Sequence, residues 1–270
     1  MNYSKDLIDF LNVSPVNFHA VKEVARRLDN AGYKYLSAEE KLGEVKAGDK
    51  FYVTKNDSSI YAFQIGKQTL GEAGFHIICA HSDSPTFRIK PNAEMTCERG
   101  MTKLNTEVYG GPIMSTWFDR PLSIAGRVII KTDDVMHPET RLLKVERPVL
   151  LIPNLAIHFN RQVNDGVKLS KQKDMLPIIG IVNDELEKGN MLMNLICSEL
   201  GVQKSDILDF DLYLYDVTPA CLVGVHDEFI SAGRIDDLSM VHAGLAALLA
   251  DTETVPETTK VLAIFDNEET

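Results

Sequence analysis

Residues 74–85, GFHIICAHSDSP, begin as an apolar strand and break into polar residues at His81. Residues 259–269, TKVLAIFDNEE, have the same design, because the apolar run 261–265 leads straight into the acidic stretch 266–269. Short apolar runs of this kind are typical of buried strands in α/β proteins, whose sites form outside the carboxyl ends of the strands. Both polar clusters are therefore predicted to lie at the carboxyl edge of a mostly parallel sheet.

Local signals on either side of these strands indicate further elements of an α/β domain. Residues 14–32 begin with Ser-Pro, contain apolar residues at helical spacing and reach a glycine, which predicts a helix capped by Ser14. Residues 50–66, KFYVTKNDSSIYAFQIG, alternate in polarity around an Asn-Asp-Ser turn, as expected for a β-hairpin. Residues 235–252 predict a helix whose apolar face contains Leu238, Val241, Leu245, Leu248 and Leu249.

The middle of the chain has a different texture from its two ends. Short β-like runs alternate with turns there, and only residues 191–200, MLMNLICSEL, show a clear helical pattern. We therefore predict a β-rich second domain inserted into the α/β domain. The expected boundaries are 1–90 for the first segment of the α/β domain, 91–228 for the insertion and 229–270 for the second segment.

Composition and charge argue against several classes of function. The 270 residues carry a net charge of −11, so the basic footprint of a nucleic-acid-binding protein is missing. Apolar runs stay short of the roughly 18 residues that span a membrane, and the first residues lack a signal-peptide pattern. The cysteines are widely spaced without a CxxC pair, which favours reduced thiols and a cytoplasmic location. We expect neither nucleic acid nor membrane as a partner.

The polar residues that follow the first strand include His81 and Asp83. In an extended segment, residues i and i+2 share a face, so both side chains are expected to point the same way. A neutral imidazole ligates zinc, and a nearby carboxylate orients the ring. A His-x-Asp pair is a weak signal by itself, because a turn with Asp83 bonded to backbone explains it at least as well.

Carboxylates dominate two further clusters, Asp236-Asp237 and Glu268-Glu269. Either aspartate suits the start of the following helix, so capping competes with a functional hypothesis in which Asp236 bridges two metal ions. Adjacent glutamates at a strand end diverge, so one can hold a metal while the other acts as a general base. A solvated acidic tail is the alternative for this pair. Together, His, Asp and Glu suit zinc, although cobalt or manganese could occupy such a site.

Taken in order along nearly the whole chain, these motifs resemble the M18 metalloaminopeptidases, a family that includes aspartyl aminopeptidase. The resemblance implies a catalytic domain with two zinc ions per full-length subunit, interrupted by an inserted dimerisation domain. The supporting stretches are SPVNFHAV (14–21), AHSDSPTFRIKP (80–91), YGGPIMSTWFDRPLSIAGRV (109–128), IPNLAIHFNR (152–161), GRIDDL (233–238) and FDNEE (265–269).

The same resemblance implies a role for each candidate residue. His81 and Glu269 are similar to ligands of the two different zinc ions, and Asp236 is similar to the carboxylate that bridges them. Glu268 matches the general base, and Asp83 matches the catalytic aspartate that holds His81. The implied reaction is removal of single N-terminal residues from peptides by a metal-activated water.

A histidine in the predicted insertion is also implicated by the resemblance. His158, in LAIHF, lies where the family presents a histidine near the substrate pocket, either its own or that of a neighbouring subunit. The resemblance further implies a homo-oligomer built from dimers. The expected partners are therefore peptide substrates and other copies of the chain.

The resemblance also implies that the chain is incomplete. The family needs a further aspartate and a further histidine downstream of FDNEE, and this sequence stops at Thr270. Each zinc would then lack one protein ligand, and later strands of the sheet would be missing, which leaves an apolar edge. We expect an inactive N-terminal fragment, whose preference for acidic or neutral side chains stays open.

Two other classes of function compete with the peptidase. In the first, the insertion mediates assembly of a non-catalytic oligomer and the carboxylates are a vestigial metal site. In the second, Asp83 and Glu268 form the carboxylate pair of a glycosidase. That hypothesis leaves His81 and Asp236 without roles.

Overall fold

The computed structural model describes residues 2–37, 39–41, 43–97, 100–182 and 189–270. The helices and strands of these residues are α1 (Tyr3–Val13), α2 (Asn17–Asn30), β1 (Lys34–Tyr35), β2 (Lys50–Lys55), β3 (Ser59–Gln64), α3 (Leu70–Ala73), β4 (Phe75–His81), β5 (Thr86–Thr96), β6 (Met101–Tyr109), β7 (Leu122–Ile130), β8 (Glu139–Lys144), β9 (Ile178–Ile181), α4 (Met191–Leu200), β10 (Ile207–Asp216), β11 (Cys221–Val223), β12 (Phe229–Ser231), α5 (Ile235–Leu249) and β13 (Thr259–Phe265). Short 3-10 turns cover Met114–Trp117, Val163–Asp165 and Lys204–Asp206.

The chain divides into two compact units. The first combines Met1–Ser84 with Pro219–Thr270, and the second is Pro85–Thr218. These bounds differ from the predicted 91–228, because β5 begins directly after Pro85 and the β11–β12 hairpin packs with the first unit. The role of the second unit in dimerisation stays a prediction.

The sheet of the first unit is mixed, with the order β1-β2-β3-β13-β4. The pairs β1/β2 and β13/β4 are parallel, whereas β2/β3 and β3/β13 are antiparallel. The prediction of a mostly parallel sheet is therefore wrong for the described strands. The reason is the tight turn at residues 56–58, where Asn56 and Asp57 both have a φ of 55°. That turn reverses the chain, so β2 and β3 form the predicted hairpin and must run antiparallel.

The parallel pair β4/β13 brings two strand ends to the same level. In its register, Ala80 lies opposite Ile264 and His81 lies opposite Phe265. Ser82 joins the ends of β4 and β13. Its N–H donates to the Phe265 carbonyl at 2.8 Å, and its buried hydroxyl lies 3.1 Å from the same oxygen. The polar residues that follow each strand therefore leave the sheet side by side.

Helix α5 packs directly on these two strands. Its predicted apolar face is confirmed, because Leu238, Val241 and Leu245 are buried in the core of the first unit. Gly244 permits the close approach, since a Cβ there would lie 2.9 Å from Leu262 Cδ1 and 3.0 Å from Ile78 Cγ2. A larger residue would push the helix away from the strands that carry the polar clusters.

Helices α1 and α2 differ from the sequence prediction. The predicted helix at 14–32 begins only at Asn17, with Val16 as its N-cap and no side-chain cap. Ser14 instead follows α1, where its N–H donates to Leu11 O at 3.3 Å. Helix α1 was not predicted, although Asn2 caps it by accepting the Lys5 N–H at 3.2 Å. The Asn2 cap is the sequence signal that would have marked its start.

A network of charged side chains links helices α1, α2 and α5. Asp6 on α1 accepts from Arg27 on α2 at 2.8 Å and lies 2.6 Å from His242 Nε2 on α5. Arg27 also donates to Glu23 at 2.7 Å, and its guanidinium lies 5.3 Å from the centre of the Phe10 ring. Burial alone would raise the pKa of Asp6, but the hydrogen bonds from Arg27 and His242 outweigh it and hold that pKa below its usual value of 3.8.

The second unit contains a sheet in the order β8-β7-β10-β5-β6-β9, and all its pairs are antiparallel. Residues 150–152 join its two sides. Leu150 exchanges backbone hydrogen bonds with Leu122 on β7, and Leu151 does so with Ile178 on β9. The strands thus close around an apolar core that includes Phe87, Leu104, Ile124, Leu143, Ile152 and Leu212. The predicted helix at 191–200 is confirmed as α4.

One side of the first sheet ends in an apolar edge strand. β4 pairs only with β13 among the described strands, and Phe75, Ile77 and Ile78 are each more than a third exposed. Among the described residues, no helix is both long and apolar enough to cross a membrane.

Asp6→Asn should lower the free energy of unfolding by about 1–3 kcal/mol at neutral pH, because Arg27 would lose a charged partner in a part-buried site. Since the pKa of Asp6 is lowered on folding, its stabilising effect is complete above pH 3.8 and is lost as the pH falls further. Urea unfolding at neutral pH and at a series of acidic pH values measures this difference. The exposed Asp9→Asn is the matched control, and equal stability of the two variants at neutral pH would contradict the role of Asp6.

Candidate metal centre

His81, the last residue of β4, stands at the centre of a cluster of carboxylates. Its Nε2 lies 3.4 Å from Asp236 Oδ1, and 3.9 Å from both Asp237 Oδ2 and Glu268 Oε2. Its Nδ1 faces the other way, 3.1 Å from the Asp83 carbonyl and 3.3 Å from the Asp83 carboxylate. With Nδ1 donating to these oxygens, the Nε2 lone pair is directed toward the carboxylates.

Asp83 connects the two strand ends. Its side chain is only 1% exposed, and its two carboxylate oxygens accept the backbone N–H groups of Glu268 at 3.4 Å and Glu269 at 3.1 Å. The same carboxylate contacts the ring of His81. The simple-turn interpretation is therefore half right, because Asp83 does bond to backbone. That backbone, however, belongs to the residues that follow β13.

Asp236 and Asp237 do not cap α5. Residue Arg234 occupies the N-cap position, no side-chain cap bond is present, and both aspartates have non-helical φ and ψ. Asp237 Oδ2 instead accepts the His81 N–H at 3.2 Å. The Asp236 side chain is 86% exposed and presents its carboxylate to the Nε2 side of His81. The capping interpretation of Asp236 and Asp237 is therefore not supported by their geometry.

The two glutamates are placed differently. Glu268 extends its carboxylate toward His81, and its side chain is 63% exposed. Glu269 is held through its backbone by Asp83 and is partly buried. Among the described residues, His81, Asp236 and Asp237 form a group whose possible ligand atoms all lie within 4.8 Å of one another. The side chain of Glu269 is not part of this group.

The charges of this cluster favour a cation. Burial disfavours the protonated imidazole, but the negative charges of Asp83, Asp237 and Glu268 outweigh burial and raise the pKa of His81. A field that stabilises a proton on His81 also stabilises a metal ion beside it. One imidazole nitrogen and two carboxylates also form a donor set that zinc accepts. The residues present therefore fit a zinc ion at Nε2 of His81.

One member of the cluster was not expected from the sequence. Asp237 belongs to the cluster although only its neighbour Asp236 was singled out, and the adjacent acids in GRIDDL were the available signal. His158 lies on an exposed turn of the second unit, whereas the cluster belongs to the first unit. The structure thus brings together His81, Asp83, Asp236 and Glu268 in the first unit, and the role of His158 stays a prediction.

The fold and this cluster together define a class of protein, an α/β protein with a candidate metal site where β4 and β13 end and α5 begins. Residues 10–270 match the model of one family, described as aminopeptidase I zinc metalloprotease (M18). The chain therefore belongs to the M18 family, and the resemblance seen in the sequence is confirmed.

Individual relatives agree with this assignment. The chain is 52% identical over 269 residues to a probable M18 family aminopeptidase 2 of Clostridium acetobutylicum, covering 100% of this chain and 61% of that protein. It matches mApe1 of Chaetomium thermophilum with a TM-score of 0.89 and 34% identity, over 99% of this chain and 62% of that one. A solved mApe1 dodecamer of S. cerevisiae matches with a TM-score of 0.83 and 26% identity, over 99% and 61% of the two chains.

Asp83→Asn should weaken zinc binding by about 10- to 100-fold, because the amide cannot accept from both backbone N–H groups and hold the His81 ring as well. Isothermal titration of the metal-free protein with zinc measures this loss. Asp133→Asn, at an exposed position of the second unit, is the matched control. Unchanged zinc affinity in Asp83→Asn would show that this carboxylate does not organise the site.

Proposed function

We propose that the protein to which this chain belongs is a zinc-dependent aminopeptidase that removes single N-terminal residues from peptides. The observation that carries the proposal is the position of His81 at the end of β4, where its Nε2 faces Asp236 and Asp237 at the start of α5 and Glu268 just after the parallel strand β13. Membership of the M18 family supports it. The chain spans 61% of the C. acetobutylicum relative, so the activity concerns the whole protein.

Zinc would be held by His81 and Asp236 at one position and by Asp236 and Glu269 at the other. Two bound zinc ions supply a water of lowered pKa and polarise the scissile carbonyl. Cobalt or manganese are alternative occupants, because nitrogen and oxygen donors accept them too. Asp83 would keep the His81 ring in the tautomer that leaves Nε2 free to ligate.

Glu268 would take a proton from the attacking water and pass it to the leaving amine. Its carboxylate is exposed to an approaching substrate, while its N–H is fixed by Asp83. That combination suits a general base, which needs access and a fixed position. The acidic surroundings would also attract the ammonium group at the N-terminus of a peptide. Peptides with acidic N-terminal residues are the first substrates to test, against neutral ones.

The exposed edge of β4 indicates a surface that another segment would cover. Phe75 and Ile77 are 47% and 56% exposed, and an uncovered apolar edge strand invites pairing or aggregation. We propose that a further segment of the natural protein covers this edge and supplies the remaining zinc ligands. The 270 residues alone would then be inactive.

Assembly is the remaining part of the proposal. We propose that the β-rich region, 91–228 in the sequence-based division, mediates dimerisation and that dimers build a larger homo-oligomer. A dodecamer among the similar structures supports this. His158, on an exposed turn, would then face a substrate pocket, either its own or that of a neighbouring subunit. The cytoplasm is the proposed location.

Glu268→Gln in the natural full-length protein should keep bound zinc while the turnover number falls by about 10²- to 10⁴-fold, because the amide cannot accept the proton. Hydrolysis of aminoacyl substrates and metal analysis of the same samples measure both quantities. Glu253→Gln, at an exposed position, is the matched control. An undiminished rate with full zinc content would remove Glu268 from the role of base.

The same protein should form an oligomer in solution rather than a single chain, because the β-rich unit is proposed to mediate dimerisation. Light scattering coupled to size exclusion measures the mass directly. A monomer at micromolar concentration would contradict the assembly proposal. An oligomer that binds no stoichiometric zinc and hydrolyses no peptide would favour the non-catalytic assembly protein instead.

A further inference from the structure

The junction between α1 and α2 reaches the segment that carries Glu268. Asn17, the first residue of α2, is 6% exposed, and its Nδ2 donates to Asp266 Oδ1 at 3.0 Å. Its Oδ1 accepts the Phe18 N–H at 2.9 Å, so both ends of the amide are engaged. Asp266 lies two residues before Glu268, directly after β13.

A second bond connects the same junction to the segment that carries Asp236. Arg234 Nη2 donates to the Leu11 carbonyl at the end of α1, at 3.2 Å. Arg234 has a φ of 61°, a left-handed conformation that is unfavourable for a residue with a side chain. The hydrogen bond to Leu11 therefore helps to hold Arg234 in this conformation, two residues before Asp236.

The candidate base depends on such fixation of its backbone. The Glu268 side chain is 63% exposed, so packing does little to place it. Its backbone is held on one side by Asp83, which accepts the N–H groups of Glu268 and Glu269. Asn17 holds the other side of the same turn through Asp266. A segment anchored at both sides keeps an exposed carboxylate within a narrow range of positions.

We propose that Asn17 is a positioning residue for the metal centre, acting through Asp266 on the turn that carries Glu268 and Glu269. This proposal rests on the proposed function for its effect on catalysis. Its effect on the turn itself does not depend on any activity. Among the described residues, the side-chain hydrogen bonds of Asn17 go to Phe18 and Asp266, so its role is indirect.

Swapping the side chains of Asn17 and Asp266 between the two positions tests the proposal. Asn17→Asp puts two carboxylates at the 3.0 Å contact and should free the turn. Asp266→Asn should have a small effect, because Asn17 can still donate to the new amide oxygen. In Asn17→Asp with Asp266→Asn, the amide at 266 donates to the carboxylate at 17, and the native behaviour should return. Asn30→Asp, exposed at the other end of α2, is the matched control.

Hydrogen exchange of the Glu268 and Glu269 amides in the metal-free natural protein is the first readout. Asn17→Asp should accelerate it by about 10- to 100-fold, the loss expected for a hydrogen bond to a charged group. The double variant and the Asn30→Asp control should exchange like the wild type. Exchange in the cores of α2 and α5 should stay unchanged, which separates a local release of the turn from general unfolding.

Zinc affinity and turnover are the second readout. Asn17→Asp should weaken zinc binding by about tenfold and lower the turnover number more than it raises KM, with recovery in the double variant. Unchanged amide exchange at Glu268 and Glu269 in Asn17→Asp would overturn the proposal, as would failure of the double variant to recover. If exchange responds as expected but the wild type hydrolyses no peptide, the positioning role stands and the proposed function fails.

Discussion

The parallel register of β4 and β13 is the constraint on which the site depends. Because His81 lies opposite Phe265, the residues that follow each strand leave the sheet at one level, next to each other. Helix α5 is drawn onto the same two strands at Gly244, and its first residues bring Asp236 to the cluster. A slip of one residue in this register would turn His81 away from the carboxylates.

Asp83 converts that register into a functional arrangement. A nearly inaccessible carboxylate is costly unless its oxygens are satisfied, and here they receive two backbone N–H groups and the His81 ring. One residue therefore sets the orientation of the imidazole and the path of the turn that carries Glu268. The side chains of Asp236 and Glu268 remain largely exposed to solvent. A buried carboxylate thus positions exposed groups that include possible metal ligands.

Several parts of the site could be predicted because they are encoded locally. The apolar runs at 75–80 and 261–265, the hairpin turn after Lys55 and the apolar face of α5 follow from short-range periodicity and turn chemistry. The antiparallel pairing of β3 with β13 could not be predicted in the same way, because it depends on which distant segments pair. The start of α2 at Asn17 was missed because Ser14 offered an equally good local cap, which the structure uses differently, at the end of α1.

The sequence by itself determined the residue types, the family motifs and the strands that end in polar clusters. Only the tertiary structure decided which groups each carboxylate contacts. Asp237 accepts the N–H of His81, 156 positions away in the chain, and Asn17 donates to Asp266 across 249 positions. The reason is physical, since secondary structure follows from neighbours within a few residues, whereas hydrogen bonds between distant side chains exist only after the sheet and helices have assembled.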